Sequence, residues 1–65
     1  MELTPEVKAL FIETAQALQG SARRIFMARA VKALGEGGQR KAEREFGWDR
    51  KTIRKGLREL ESGIH

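Results

Sequence analysis

Residues 47–60 read GWDRKTIRKGLREL, a glycine turn followed by a basic amphipathic segment. Asp49 is a typical N-cap residue, because its carboxylate accepts hydrogen bonds from first-turn amides that have no partner within the helix. Beyond it, Ile53, Leu57 and Leu60 recur at helical spacing and predict one apolar stripe. Five basic residues lie off that stripe: Arg50, Lys51, Arg54, Lys55 and Arg58. The stretch therefore predicts a helix with one face for a core and another for an anion.

The rest of the chain predicts three more helices and no strand. Thr4 and Pro5 form a helix start, with a hydroxyl cap followed by proline at the first helical position. Ser21 is expected to cap the second helix, and residues 35–38 read as a flexible glycine connector. The predicted helices cover about residues 5–18, 22–34, 39–46 and 50–62. The expected fold class is all-α: a small four-helix domain with a tri-helical helix-turn-helix core and an N-terminal helical extension.

Size and composition limit the class of protein. With 65 residues the chain is expected to form one domain over residues 1–65, near the lower end of what folds alone. Cysteine is absent, so neither disulfides nor thiolate metal sites contribute. The 13 Lys and Arg residues against 9 Asp and Glu give a formal charge of +4, which favours an anionic partner. Without a membrane-spanning or signal segment, the expected location is the cytoplasm, in association with the nucleoid.

The order of a short helix, a glycine turn and a basic helix is the pattern of a helix-turn-helix motif. In that motif the second helix enters the DNA major groove, where arginine can contact guanine through two hydrogen bonds. The candidates for contact with base edges are Arg50, Lys51, Arg54 and Lys55. The candidates for contact with phosphates are Arg40, Lys41, Arg44, Thr52 and Arg58. The predicted partner is double-stranded DNA.

Structural roles compete with these functional ones. Thr52 is equally suited to bond back to the Asp49 cap, and an intrahelical pair between Lys41 and Glu45 would explain part of the charge pattern of the third helix. Trp48 is expected to fill the core beside Phe46 rather than to stack on a base. Gly56 interrupts a helix at a cost of roughly 1 kcal/mol relative to alanine, which indicates close packing against a neighbouring helix. A run of charge by itself is usually a solvated helix face.

The sequence offers no catalytic site. The single histidine is His65, at the end of the chain, and no metal-ligand cluster, carboxylate pair or nucleophile with a base can be proposed. We therefore expect a protein that is not an enzyme, with no cofactor, no metal and no small-molecule substrate. A helical protein-interaction module that dimerises through Val7, Leu10, Phe11 and the second helix, with no DNA role, is the alternative.

Three segments together resemble the N-terminal region of bacterial insertion-sequence transposases, closest to the Rhodopirellula-type DDE transposases. They are residues 3–7 (LTPEV), 23–28 (RRIFMA) and 52–60 (TIRKGLREL). The resemblance implies a helix-turn-helix domain that binds the ends of a mobile element, either as a transposase fragment or as a stand-alone relative. The acidic triad and metal ions of such enzymes belong to a separate C-terminal domain. Two departures are Trp48-Asp49, where many relatives have a valine-serine-like pair, and Glu43, where a small residue is usual.

Overall fold

The structure is a computed structural model that describes residues 2–63, so Met1, Ile64 and His65 lie outside the described residues. The helices are α1 (Pro5–Ala17), α2 (Gly20–Leu34), α3 (Gly38–Phe46) and α4 (Arg50–Ser62). Residues 2–63 contain no strand. The predicted all-α, four-helix class is confirmed, and each helix lies within two residues of its predicted start.

Two of the three predicted side-chain caps form. The Thr4 hydroxyl accepts a hydrogen bond from the Val7 amide at 3.2 Å, with Pro5 at the first helical position of α1. The Asp49 carboxylate accepts a hydrogen bond from the Thr52 amide at 3.1 Å. These caps depend only on residues within one turn of each other, which is why the sequence located them.

The start of α2 differs from the prediction. Ser21 does not cap the helix, since α2 begins at Gly20 and the cap residue, Gln19, makes no side-chain hydrogen bond. Gly20 has a φ of 63°, a backbone conformation that favours glycine, and this lets the chain turn directly from α1 into α2. The Arg23 Nε then donates to the Ala15 carbonyl oxygen at 3.0 Å and ties the start of α2 to the end of α1.

The connector between α2 and α3 is a compact turn rather than a flexible loop. The Gly38 amide donates to the Gly35 carbonyl oxygen at 2.9 Å, and Gly38 is buried as the first residue of α3. A Cβ at Gly38 would contact the Val31 carbonyl oxygen and would lie 3.1 Å from the Leu34 Cβ. Glycine is therefore needed here for close packing of α3 on the end of α2.

The core lies between α2 and the other three helices. Met27 and Ile53 are its largest fully buried side chains, each 0% exposed. Beside them four aromatic rings, Phe11, Phe26, Phe46 and Trp48, form one cluster that spans α1, α2, α3 and the turn before α4. Ring centroids lie 4.6 Å apart for Phe46 and Trp48 and 5.5 Å apart for Phe11 and Phe46. Such tilted and edge-on pairs add to the hydrophobic stabilisation of a small core.

The central helix is α2, which packs against α1, α3 and α4, and most extensively against α4. The close approach of α2 and α4 occurs at Gly56, because a Cβ there would lie 2.7 Å from the Arg24 carbonyl carbon and closer still to its oxygen. The predicted packing role of Gly56 is confirmed. Within the described residues α1 packs against α2 and α3 but not against α4.

One ion pair reinforces the α2–α4 contact. The Arg24 Nη2 lies 2.8 Å from the Glu59 Oε1, and the two side chains are only 27% and 19% exposed. The second oxygen of Glu59, Oε2, is buried and has no hydrogen-bond partner among residues 2–63. The negative charge of the Glu59 carboxylate is thus balanced by Arg24 alone among residues 2–63.

We expect Arg24→Ala to lower the free energy of unfolding by about 1–3 kcal/mol, because it leaves the Glu59 carboxylate mostly buried without its cation. Urea denaturation followed by circular dichroism measures the change. Glu61→Ala removes an exposed acid from the same helix and should alter stability by less than about 0.5 kcal/mol. Equal losses in the two variants would show that the Arg24–Glu59 pair contributes nothing specific.

Candidate nucleic-acid interface

A three-residue turn joins α3 to α4, as in helix-turn-helix motifs. Gly47 adopts the left-handed conformation with a φ of 71°, which ends α3. Trp48 then points into the core and is only 8% exposed. Asp49 caps α4. The turn thereby fixes α4 on the core through Trp48 and leaves the opposite side of the helix in solvent.

Four basic side chains share that outer side of α4: Lys51, Arg54, Lys55 and Arg58. We call them the α4 cationic face. All four residues are exposed and together line one shallow cleft. Successive residues of a helix are about 100° apart, so these four fall within an arc of roughly 100°, opposite the buried Ile53. Within residues 2–63 none of the four has an ion-pair partner.

Arg50, the other predicted base-edge candidate of α4, lies at the flank of this face. Its side chain is 67% exposed, and its Nε lies 3.5 Å from the Glu43 Oε1 of α3. Glu43 occupies the position where the resemblance led us to expect a small side chain. It is accommodated without entering the core, because its carboxylate turns toward Arg50.

The cations of α3 form a weaker positive surface than those of α4. Arg40 is exposed and Lys41 is half-buried. The Arg44 Nε lies 3.3 Å from the Glu45 Oε2, and the other Glu45 oxygen lies 3.4 Å from the Lys8 Nζ of α1. The Lys41–Glu45 pair considered as an alternative does not form, since Glu45 pairs with Arg44 and with Lys8 of the neighbouring helix. Packing of α1 on α3 decides this choice, which helical spacing alone cannot do.

Thr52 takes the local one of its two predicted roles. Its hydroxyl donates to the Asp49 Oδ2 at 3.2 Å, while its amide donates to the same oxygen. The hydroxyl is consequently engaged in the cap, although its lone pairs remain available. Thr52 stays a phosphate candidate only as a neighbour of Lys51 and Lys55, with which it lines a second cleft.

Trp48 is confirmed as a core residue. Its ring packs on Phe46 and lies 6.2 Å from the Phe26 ring of α2, which gives it contacts on both sides. A side chain held in this way is not free to stack on a base. Leu57 is half-buried against the same core, whereas Leu60, at the end of the predicted stripe, is half-buried outside the core cluster.

Sequence reasoning does not identify which residues α2 contributes beside α4. From the sequence alone, the basic residues of α2 are expected mostly on a solvated face, with some able to reach flanking phosphates. In the structure Arg23 and Arg24 line the same cleft as Lys51 and Lys55. No local signal identifies them, because they are close to α4 only through the packing at Gly56. Arg29 and Lys32, also on α2, are exposed and line none of these clefts.

Other kinds of site find no support in the described part of the chain. Residues 2–63 contain no group of three His, Cys, Asp or Glu side chains placed to hold a metal ion. Among the same residues no helix has the length and apolar character needed to cross a membrane.

Comparison with protein-family models, curated proteins and solved structures finds no match for this chain. The choice of function therefore depends on the geometry and charge of the α4 surface.

Proposed function

We propose that this protein binds double-stranded DNA in a sequence-specific manner, with α4 in the major groove. The observation that carries the proposal is that the side chains of the α4 cationic face have no carboxylate partner among residues 2–63. Four other cations, Lys8, Arg24, Arg44 and Arg50, have carboxylate partners within the protein. The four on the outer side of α4 have none among residues 2–63, and they line one cleft together. The other cations without a carboxylate partner lie on α2 and α3: Arg23, Arg29, Lys32, Arg40 and Lys41. Uncompensated like charges on one helix face repel each other, and an external polyanion relieves that repulsion.

The dimensions of this face favour DNA over a single small anion. From Lys51 to Arg58 the helix advances about 10 Å, at roughly 1.5 Å per residue. Along each DNA strand successive phosphates are about 3.4 Å apart along the axis, so the face spans several of them. The major groove, about 12 Å wide, admits one α-helix. A membrane surface would need an apolar face as well, and the apolar face of α4 is packed on the core.

Roles within the interface depend on position along α4. The N-terminal residues of a recognition helix contact base edges, so Arg50, Lys51, Arg54 and Lys55 are the base-edge candidates. Arg58 lies a turn further on and is a phosphate candidate, together with Arg40, Lys41 and Arg44 of α3. In this proposal the protein acts in the cytoplasm, on the nucleoid. The resemblance to insertion-sequence transposases supports recognition of the ends of a mobile element, without the catalytic domain.

Binding to a duplex, measured by fluorescence anisotropy, tests the proposal. We expect micromolar or tighter binding that weakens roughly 100-fold between about 50 and 200 mM NaCl, as for four phosphate contacts. Arg54→Ala should weaken binding about tenfold, which corresponds to about 1.4 kcal/mol. Arg29→Ala, which removes the same charge from α2 away from these clefts, is the control and should have less than about a twofold effect. Absence of binding, or equal effects of the two variants, would contradict the proposal.

The alternative of a dimerisation module receives less support. Of its three α1 residues, Phe11 packs inside the protein against Phe26 and Phe46. Leu10, which is 60% exposed, is the one exposed large apolar residue among residues 2–63. A single exposed leucine is ordinary, and a stable interface buries about 800 Å² on each partner. A homodimer stays a prediction, and no apolar surface large enough for a dimer interface is found among residues 2–63.

A further inference from the structure

A second cationic cleft lies beside the α4 cationic face, between α4 and the start of α2. It is lined by Gly20, Arg23, Arg24, Lys51, Thr52 and Lys55. Lys51 and Lys55 form a ridge that belongs to both clefts, since they also line the one with Arg54 and Arg58. The surface that can attract a polyanion is thus wider than one helix and continues onto α2.

The charges of this second cleft are predominantly positive. The carboxylate closest to its Arg24 is Glu59, which that arginine neutralises at 2.8 Å. Lys51, Lys55 and Arg23 have no ion-pair partner within residues 2–63. On the opposite flank of α4, by contrast, the cleft that contains Arg40 and Arg50 also contains Glu43. The attraction for phosphate is therefore stronger on the α2 side of α4.

Arg23 is held in place before any ligand arrives. Its Nε donates to the Ala15 carbonyl oxygen at 3.0 Å, which fixes one edge of the guanidinium and leaves its terminal amino groups without a hydrogen bond among the described residues. A planar guanidinium has five N–H donors and suits phosphate oxygens. Holding the side chain in advance reduces the entropy lost on binding. Arg23 lies on α2, outside the helix proposed to enter the major groove, so the DNA backbone is the part of a duplex that it would contact.

We infer that the cleft between α2 and α4 holds a phosphodiester of the DNA backbone, contacted by Arg23, Lys51 and Lys55. This inference rests on the proposed DNA binding and assigns Lys51 and Lys55 to phosphates rather than to base edges. With α4 in the major groove, one bordering strand runs along the α2 side of the helix. Lys51 and Lys55, which line both clefts, are within reach of that strand, while Arg54 and Arg50 lie on the other side of this ridge and remain the base-edge candidates.

The slope of log affinity against log salt concentration separates these roles, because each phosphate contact changes it by about 0.9. For Lys51→Ala with Lys55→Ala we expect a slope smaller by about 1.8 and an unchanged preference between a selected and a scrambled duplex. Arg23→Ala should reduce the slope by about 0.9. Arg29→Ala with Lys32→Ala removes two charges from elsewhere on α2 and is the matched control, with little change expected. A thermal melt of each variant shows that it is folded, and Arg23→Lys retains the charge if Arg23→Ala unfolds.

Three outcomes would overturn the inference. A loss of sequence preference without a change of slope in the Lys51 and Lys55 variant would make these residues base contacts. A slope change equal to that of the Arg29 and Lys32 control would make the effect one of net charge. In both cases the proposed function is decided separately, by whether Arg54→Ala weakens duplex binding more than Arg29→Ala. If the unmodified protein does not bind a duplex at all, the inference and the proposed function fail together.

Discussion

Gly56→Ala is expected to destabilise the protein by about 2 kcal/mol or more, although alanine normally stabilises a helix by roughly 1 kcal/mol relative to glycine. The reason is the contact between α4 and α2. An added Cβ would overlap the Arg24 carbonyl oxygen and lie 2.7 Å from the carbonyl carbon. Both atoms belong to the backbone, so no rotamer change can relieve the overlap. The two helices must move apart, and overpacking typically costs about 1–3 kcal/mol. Because both overlapped atoms are backbone, we expect the upper end of that range, about 3 kcal/mol, which exceeds the gain in helix propensity.

A loss of this size is large for so small a domain. At about 0.05–0.15 kcal/mol per residue, total stability is of the order of 3–10 kcal/mol. The Tm should fall by roughly 8–16 °C, at about 4–8 °C per kcal/mol for a domain of this size. Far-ultraviolet circular dichroism during heating measures it. Lys55→Ala changes the preceding, exposed position and should leave the Tm nearly unchanged. A Gly56→Ala protein as stable as the unmodified one would show that α2 and α4 are further apart than the structure places them.

What the sequence predicts well is determined within one turn of helix. Thr4 and Asp49 could be assigned as caps because a cap and its amide are three residues apart. The exposed face of α4 could be assigned because helical spacing separates Ile53 from Arg54 and Lys55. These features require no knowledge of how the helices pack.

What the sequence could not predict depends on contacts between helices. Ser21 has the chemistry of a cap, but Gly20 makes the turn and the helix starts before the serine. Glu45 could pair with Lys41 by spacing, yet the nearby Lys8 of α1 takes its carboxylate. Gly38 reads as part of a flexible connector, and only the position of the Val31 carbonyl shows why glycine is needed.

In the candidate interface, too, some residues could be predicted from helical spacing and others depend on how the helices pack. The basic residues of α4 can be identified from spacing, whereas the cleft shared with Arg23 depends on how α2 crosses α4 at Gly56. The position of Arg50 is also a tertiary result, since Glu43 of α3 attracts its guanidinium. Sequence reasoning could therefore identify a basic amphipathic helix, but not which of its cations already have carboxylate partners within the protein.

The double variant Arg50→Ala with Arg54→Ala is expected to lose the preference for one DNA sequence over another. The ion pair between Arg50 and Glu43 has to be considered in this prediction. Arg54 is exposed with no ion-pair partner among residues 2–63, and Arg50 must leave Glu43 to reach a base. An exposed pair is worth at most about 1 kcal/mol, while a guanine contact through two hydrogen bonds discriminates by about 1–3 kcal/mol, so the base contact prevails. Removing both arginines should reduce the affinity ratio between a selected and a scrambled duplex by roughly 30-fold to 10,000-fold.

Selection of bound sequences from random duplexes supplies the preferred site, and titration of that site and a scrambled version gives the ratio for each variant. Arg40→Ala is the informative control, because a phosphate contact from α3 carries no sequence information and its loss should weaken both duplexes by about the same factor. Glu43→Gln tests the competition directly, since freeing Arg50 from its partner should keep or raise the ratio. If the double variant retains the preference of the unmodified protein, the bases are read by other residues, and α4 serves only to hold the DNA backbone.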